Sequence, residues 1–153
     1  MLLSKSCIYG LRAALLMAST ASNDYISIKE MSKNLNISFH FLTKVLQQLT
    51  AANLMESHKG PKGGIRLAKP VHEIALLHIV IAIDGYELFT KCVLGLPGCG
   101  VEKPCPMHAM WSEKKEKISH MLESTTLFEL AEDVKNGKLR ITANGDLDFL
   151  NLN

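Results

Sequence analysis

Apolar residues recur at helical spacing through the first fifty positions. From about Leu3 to Ala21, Leu11, Leu15 and Ala18 fall at i, i+4 and i+7 with Ala14 and Leu16 beside them, which predicts an amphipathic helix. Ser22, Asn23 and Asp24 end it. Ser27 with Glu30 three residues later has the spacing of a capping box, and it opens a short helix from Ile28 to Leu35 that points Ile28, Met31 and Leu35 inward. Asn36, Ile37 and Ser38 form a tight link, with Ser38 the predicted N-cap of a third helix. In that helix Leu42, Val45, Leu46 and Leu49 form a buried stripe, which leaves Phe39, His40, Thr43, Lys44 and Gln47 for the other faces.

Two short helices joined by a three-residue turn match a helix-turn-helix, a pattern that generic helical hairpins share. The residues that follow narrow the choice. Leu54 to His58 reads as a strand, Gly60-Pro61-Lys62-Gly63-Gly64 as a turn, and Ile65-Arg66-Leu67 as the return strand. A helix-turn-helix followed by a basic hairpin is a winged helix. Lys59, Lys62, Arg66 and Lys69 put four positive charges on or beside the wing, and Gly60, Gly63 and Gly64 let its tip approach a nucleic-acid backbone closely. On duplex DNA, Ser38, His40, Thr43, Lys44 and Gln47 would face the major groove. Gln47 suits adenine and Thr43 a thymine methyl, while Lys44, Lys59, Lys62 and Arg66 suit phosphates or the minor groove. His58 reads equally as a phosphate contact or a solvated wing residue.

Pro70 closes the wing. Ile74 to Ile83 is nearly all apolar and predicts a buried helix ended by Asp84-Gly85, with His78 as a core histidine bonded to a backbone carbonyl. Residues 90–106 form a long loop rich in glycine and proline, and a loop of that length is usually tied down or functional. A long helix follows from about Met107 to Glu123, carrying Met107, Trp111, Ile118 and Leu122 along one side. Thr125 or Thr126 caps a last helix, Leu127 to about Asn136, which Gly137 ends. The predicted fold is mainly α with a small β-hairpin: a winged helix-turn-helix plus a long dimerisation helix. Residues 1–70 form the DNA-binding domain. Residues 71–136 hold the linker helix, the cysteine-rich loop and the dimerisation helices, and 137–153 form a tail that is either an edge strand or loosely ordered. Trp111, Ile118 and Leu122 need an apolar partner, and the same helix of a second subunit supplies one. The resulting two-fold homodimer matches a palindromic operator.

Composition fits this picture. At 153 residues, 47% hydrophobic and 21% charged, the chain has the size and make-up of one folded domain. Its longest near-apolar run has ten residues where a membrane span needs roughly twenty, and its start lacks the pattern of a secretory signal, so a cytoplasmic protein is expected. Residues 1–70 carry nine Lys/Arg against three Asp/Glu, net +6, whereas 71–153 carry eight against twelve, net −4. Only the first part suits a polyanion partner. Without a Cys-x-x-Cys pair, a nucleotide-binding glycine loop or paired carboxylates, the sequence offers no enzyme signature.

The cysteines carry the remaining chemistry. Cys7 stands alone in the first helix, where a free cysteine commonly packs as a small hydrophobe. Cys92, Cys99 and Cys105 fall within fourteen residues, with His108 three positions on. Three thiols and an imidazole can converge on a metal centre. Gaps of six and five residues are wider than the pairs typical of structural zinc and suit an iron–sulfur cluster, while zinc and metal-free thiol redox chemistry stay open on spacing alone. His72, His78 and His120 form no ligand-spaced set.

Ser57-His58-Lys59-Gly60-Pro61-Lys62-Gly63-Gly64-Ile65-Arg66-Leu67, followed by Cys92, Cys99 and Cys105-Pro106-Met107-His108-Ala109-Met110-Trp111, resembles the bacterial family of iron–sulfur cluster regulators with IscR-type, NsrR-type and CymR-type members. The resemblance covers about residues 3–136. It implies a homodimeric transcription factor on palindromic promoter DNA, with Ser38–Leu49 as recognition helix. It also implies a cluster held by Cys92, Cys99 and Cys105. An IscR-type [2Fe-2S] site would add His108, and an NsrR-type [4Fe-4S] site would add a carboxylate from the partner's first helix. Here that helix position is Ile8, next to Cys7, a possible alternative ligand. Asn53 stands where the family usually has glycine and can adopt a left-handed backbone. Two other readings are a winged-helix repressor that senses through cysteine thiols or a partner protein without a cluster, and a zinc-stabilised interaction module. Iron supply, cluster demand, nitric oxide and redox stress all fit the same ligand set.

Overall fold

A computed structural model describes residues 2–20, 22–98, 100 and 102–143. Among them are α1 (Lys5–Ala18), α2 (Ile28–Leu35), α3 (Phe39–Ala51), β1 (Met55–His58), β2 (Gly64–Leu67), α4 (Leu76–Asp84), α5 (Glu87–Thr90), α6 (His108–Ser124) and α7 (Leu127–Lys135). The fold is mainly α with one small hairpin, as the sequence predicts. Most of the tail, residues 144–153, lies outside the described residues.

The local signals explain most element ends. Ser27 accepts the Glu30 N–H at 3.0 Å to open α2. Asn36 closes α2 in the left-handed conformation, φ 54° and ψ 49°, at no unusual cost for asparagine. Asn53 likewise has φ 60°, in the place where the resemblance led us to expect a glycine-like backbone. Thr126 rather than Thr125 caps α7. His78 is exposed, and its Nδ1 accepts the Ala75 N–H at 3.1 Å. It caps α4 from outside and is not the core histidine expected, because its position in the first turn of α4 lets it reach back to an orphan backbone donor. The four-residue helix α5 carries too few positions for periodicity to reveal.

Helix α1 is the centre of the core. Its fully buried residues are Cys7, Gly10, Ala13, Ala14, Leu16 and Met17, whereas the predicted stripe of Leu11, Leu15 and Ala18 is half-buried. The reason is that α1 is covered on several sides, by α3, α4 and α7. A helix enclosed in this way puts its small residues at the tightest contacts, so a single hydrophobic face describes it poorly. A Cβ at Gly10 would overlap Ile83 of α4 and lie 3.3 Å from Val45 and 3.5 Å from Leu49 of α3. Three helices meet at that glycine. At the start of α1 the Ser4 backbone N–H and hydroxyl both bond to the Asp84 carboxylate at the end of α4.

The main core joins winged-helix residues such as Met31, Leu42, Leu46 and Ile65 to Ile74, Ile79, Leu127 and Val134. It therefore continues across position 70. Two short ladders make the joins: Ile26 bridges Ile65 and adds a third strand-like segment to the wing, and Ala75 bridges Thr126. Arg12 adds a clamp, donating from Nε to the Ile141 carbonyl at 2.8 Å and from Nη2 to the Leu35 carbonyl at 2.9 Å. It ties the last described residues to the end of α2.

Gly10→Val should overpack the α1–α3–α4 junction and lower the unfolding free energy by about 1–3 kcal/mol. Urea denaturation followed by circular dichroism measures this, and an unchanged midpoint would show that the junction is loose.

Candidate nucleic-acid interface and cysteine centre

In α3 the stripe of Leu42, Val45, Leu46 and Leu49 is buried, which turns the other faces outward. Ser38 is the N-cap by position but its hydroxyl makes no capping bond. Ser38, His40, Lys44 and Gln47 are exposed, and Thr43 is half-buried. The Thr43 hydroxyl donates to the Phe39 carbonyl at 2.7 Å, so it is already engaged within the helix. The predicted groove-facing residues thus share one solvent-facing surface of α3.

The wing pairs Met55 with Leu67, Glu56 with Arg66, Ser57 with Ile65 and His58 with Gly64. Buried Met55, Ile65 and Leu67 hold it to the core, while Lys59 and Lys62 stay exposed at the tip. A Cβ on Gly63 would overlap the His58 carbonyl, and one on Gly64 the Ile26 carbonyl. Those two glycines are required by the close approach of three backbone segments. Gly60 has open space around it, and its φ of +115° is what calls for glycine. Arg66 is more constrained than Lys59 or Lys62. Its guanidinium pairs with Glu56, and sits 4.4 Å from the Tyr25 ring centroid. The hydrogen bond to Glu56 pushes its pKa above the ordinary arginine value. The Tyr25 ring also lies 5.3 Å from His58. Sequence periodicity missed this Tyr25–Glu56–Arg66 group, although hairpin register alone places Glu56 opposite Arg66.

The described residues on either side of the cysteine-rich loop come together. The Cys92 and Cys105 sulfurs lie 3.4 Å apart; Cys92 is buried and Cys105 partly so. His108 is the first residue of α6, and its N–H donates to the Cys105 carbonyl at 3.0 Å. A Cβ at Gly100 would sit 2.9 Å from the His108 Cε1, so the loop backbone lies against the imidazole. The Ser112 hydroxyl, one turn along α6, is 3.4 Å from His108 Nε2. Trp111 donates from Nε1 to the Lys91 carbonyl at 3.2 Å, which fastens α6 to the residue just before Cys92. Cys99 lies outside the described residues.

The pair of cysteines passes a simple fit test. Two thiolates on one tetrahedral metal with bonds of about 2.3 Å stand about 3.8 Å apart, close to the observed sulfur separation. Thiolates with an imidazole suit iron–sulfur, zinc or Cu(I) centres. Among the described residues no group of three or more ligand-type side chains surrounds a single point, so Cys92 and Cys105 are brought together while His108 is not gathered with them around one position.

Cys7 is placed differently. It has no exposed surface and packs with Val80 and Leu122 in a second apolar cluster. Leu122 is fourteen residues along α6 from His108, about 21 Å of helix. Burial, reinforced by the nearby Asp84 charge and hydrogen bond, pushes the Cys7 thiol up to about 12. Of the three residues assigned to a dimer contact, Leu122 is buried in its own protomer, Ile118 is half-buried against the same cluster, and Trp111 is half-buried over Lys91. The apolar side chains of α6 that stay open are Met110 and Met121, with Met107 just before the helix.

A recognition helix, a lysine-tipped wing and a basic first half define a winged-helix DNA-binding protein. The chain belongs to the Rrf2 family, described as an iron-dependent transcriptional regulator, whose family pattern matches residues 3–133. It is 31% identical to the HTH-type transcriptional regulator IscR of Vibrio campbellii over 141 residues, 92% of this chain and 82% of that protein. Its fold resembles the global cysteine regulator CymR of B. subtilis, with TM-score 0.70, 25% identity, and 85% of this chain and 95% of that one covered. It also resembles T. potens IscR, with TM-score 0.72, 22% identity and 90% of each chain covered. The protein is therefore a DNA-binding transcriptional regulator rather than an enzyme. No helix among the described residues is long and apolar enough to cross a membrane.

The folded-state pKa of Cys7 lies above its ordinary value of 9.0. Its contribution to stability is therefore intact below pH 9 and falls as pH rises towards 12. At pH 8 a thiol-alkylating reagent should reach Cys7 only after unfolding, with or without a metal centre in the 92–108 loop. Peptide mass spectrometry of the labelled protein reads this directly, and rapid native labelling of Cys7 would contradict its buried, protonated state.

Proposed function

We propose that this regulator binds palindromic promoter DNA as a homodimer and that its affinity is tuned by an iron–sulfur centre, [2Fe-2S] in the favoured form, held by Cys92, Cys99, Cys105 and His108. The observation that carries the reading is the closed loop at the foot of α6, where the Cys92 and Cys105 sulfurs stand 3.4 Å apart. The family description and the IscR relatives support it. When bound, such a centre supplies a group whose oxidation, nitrosylation or loss can report the state of the cell. The chain's own residues do the rest. Gly100 and Ser112 orient His108, and Trp111 with Lys91 keeps the loop closed. Helix α6 packs on α4, and α4 packs on both α1 and the recognition helix α3. Restraint at His108 thus has a continuous packed route to the DNA-reading surface, and about 1–3 kcal/mol of coupling would shift operator occupancy strongly.

Homodimerisation is supported by the apolar side chains left open near the loop and on α6, including Leu94, Leu96, Met107, Met110 and Met121. Patches of this kind commonly mark interaction surfaces. The complete burial of Cys7 supports a packing role and favours His108 as fourth ligand. The close thiol pair also supports a second reading, in which the cysteines sense directly without a cluster. The structural likeness to a global cysteine regulator favours that alternative.

Native protein purified without oxygen should contain iron and acid-labile sulfide. His108→Ala should lose the visible spectrum and Cys7→Ser should keep it. Affinity for a selected operator should change at least about fivefold when the centre is removed. Equal affinity with and without it would end the tuning reading, and colourless protein that binds its operator normally would favour direct thiol sensing. One equivalent of zinc without sulfide and without salt-sensitive duplex binding would instead indicate an interaction module.

The DNA surface has its own test. Lys62→Ala should weaken binding to all duplexes alike and reduce the salt-dependence slope by about one unit, while Gln47→Ala should alter preference among operators. Fluorescence anisotropy across a salt series measures both. A Lys62→Ala loss confined to one sequence, or a Gln47→Ala loss equal on all, would reverse those assignments.

A further inference from the structure

We propose that Phe39 reads thymine methyl groups in the major groove and so helps determine operator specificity; this rests on the duplex-binding reading above. Phe39 is the first residue of α3 and remains 45% exposed. Its near neighbour Phe41 does what an aromatic normally does in a core, packing edge-on against Tyr9 with centroids 5.3 Å apart. The core takes Leu42, Val45, Leu46 and Leu49 from this helix and leaves Phe39 outside. The only ring contact recorded for Phe39 among the described residues is with adjacent His40, at 5.7 Å and 76°.

The surroundings indicate what the exposed ring meets. Phe39, Thr43 and Gln47 stand at i, i+4 and i+8 and form one stripe along the helix. One turn apart on this stripe, the Phe39 ring and the Thr43 side chain, whose hydroxyl is taken up by the Phe39 carbonyl, mark a corner of low polarity. That corner is bordered by His40 and Lys44, on the half of the chain with net charge +6. A surface so charged attracts a polyanion rather than an apolar protein face. Within the major groove the one apolar feature of the base edges is the C5-methyl of thymine, which apolar and aromatic side chains contact. The N-terminal residues of a recognition helix are the ones that reach base edges. Exposure, position, an apolar neighbour and a cationic rim all point to the same occupant.

The test uses a duplex enriched by the wild-type full-length protein from a random-sequence pool. Each thymine of one half-site is replaced in turn by deoxyuridine, which removes only the methyl group. Wild-type protein should lose about three- to tenfold in affinity at one or two positions, the effect expected for uncovering one methyl. Phe39→Ala should bind the thymine duplex more weakly by a similar factor and be indifferent to uridine at those positions. Phe39→Leu should keep the wild-type sensitivity. Unchanged thermal melting of both variants confirms that the fold is intact. The proposal is overturned if no uridine substitution affects the wild type, or if Phe39→Ala is as sensitive as wild type at the same thymines, which would assign the methyl contact to Thr43. Enrichment of no specific duplex by wild type would remove the duplex reading itself, and this proposal with it.

Discussion

The arrangement turns on the absence of a side chain at Gly10. There the backbone of α1 comes close enough for Ile83 of α4 and Val45 and Leu49 of α3 to meet over it. Ala13 and Ala14, one turn on, are fully buried and keep the same helix slim. Helix α3 and helix α4, which leads to the cysteine loop, therefore share one contact on α1. Closely packed interiors transmit displacement because they have no slack to absorb it. A bulkier α1 would hold α3 and α4 apart.

The second constraint is the closure of the loop itself. Trp111 holds the Lys91 carbonyl, the Cys92 and Cys105 sulfurs touch, and Gly100 rests on His108. These contacts shorten a long glycine- and proline-rich excursion into a compact knob at the start of α6. Under the proposed function, ligands drawn from both ends of such a loop would hold the helix start in one place. Their release would free the first turn of α6, including His108 and Trp111, to move relative to α4, so that a change in ligand bonding would become a change in helix position without any contact between the centre and DNA.

Much of this was legible in the sequence, for identifiable reasons. The buried stripe of α3, the Ser27 cap, the wing strands and the start of α7 follow from periodicity and capping chemistry, which depend on near neighbours only. The inward face of α1 did not follow, because burial on several sides erases the amphipathic signal. His78 was misread for a related reason: an apolar run suggests a buried position, but the ring serves an exposed helix end. The Arg12 clamp joins residues 129 and 23 positions apart, and no local pattern encodes such a contact. At the cysteine site, residue types and spacing marked out Cys92, Cys99, Cys105 and His108 as candidates only. The folding of Cys92 onto Cys105 depends on glycine-permitted turns and on Trp111 reaching Lys91, which spacing alone does not specify.

The central claim is that the foot of α6 and the recognition helix are mechanically joined through α4 and α1. Amide hydrogen exchange on anaerobically purified protein, before and after chelator treatment that removes the proposed centre, tests that join most directly. Exchange should rise in residues 92–111 and also along α4 and the first turns of α3. A change confined to 92–111, with α4 and α3 exchanging as before, would contradict it.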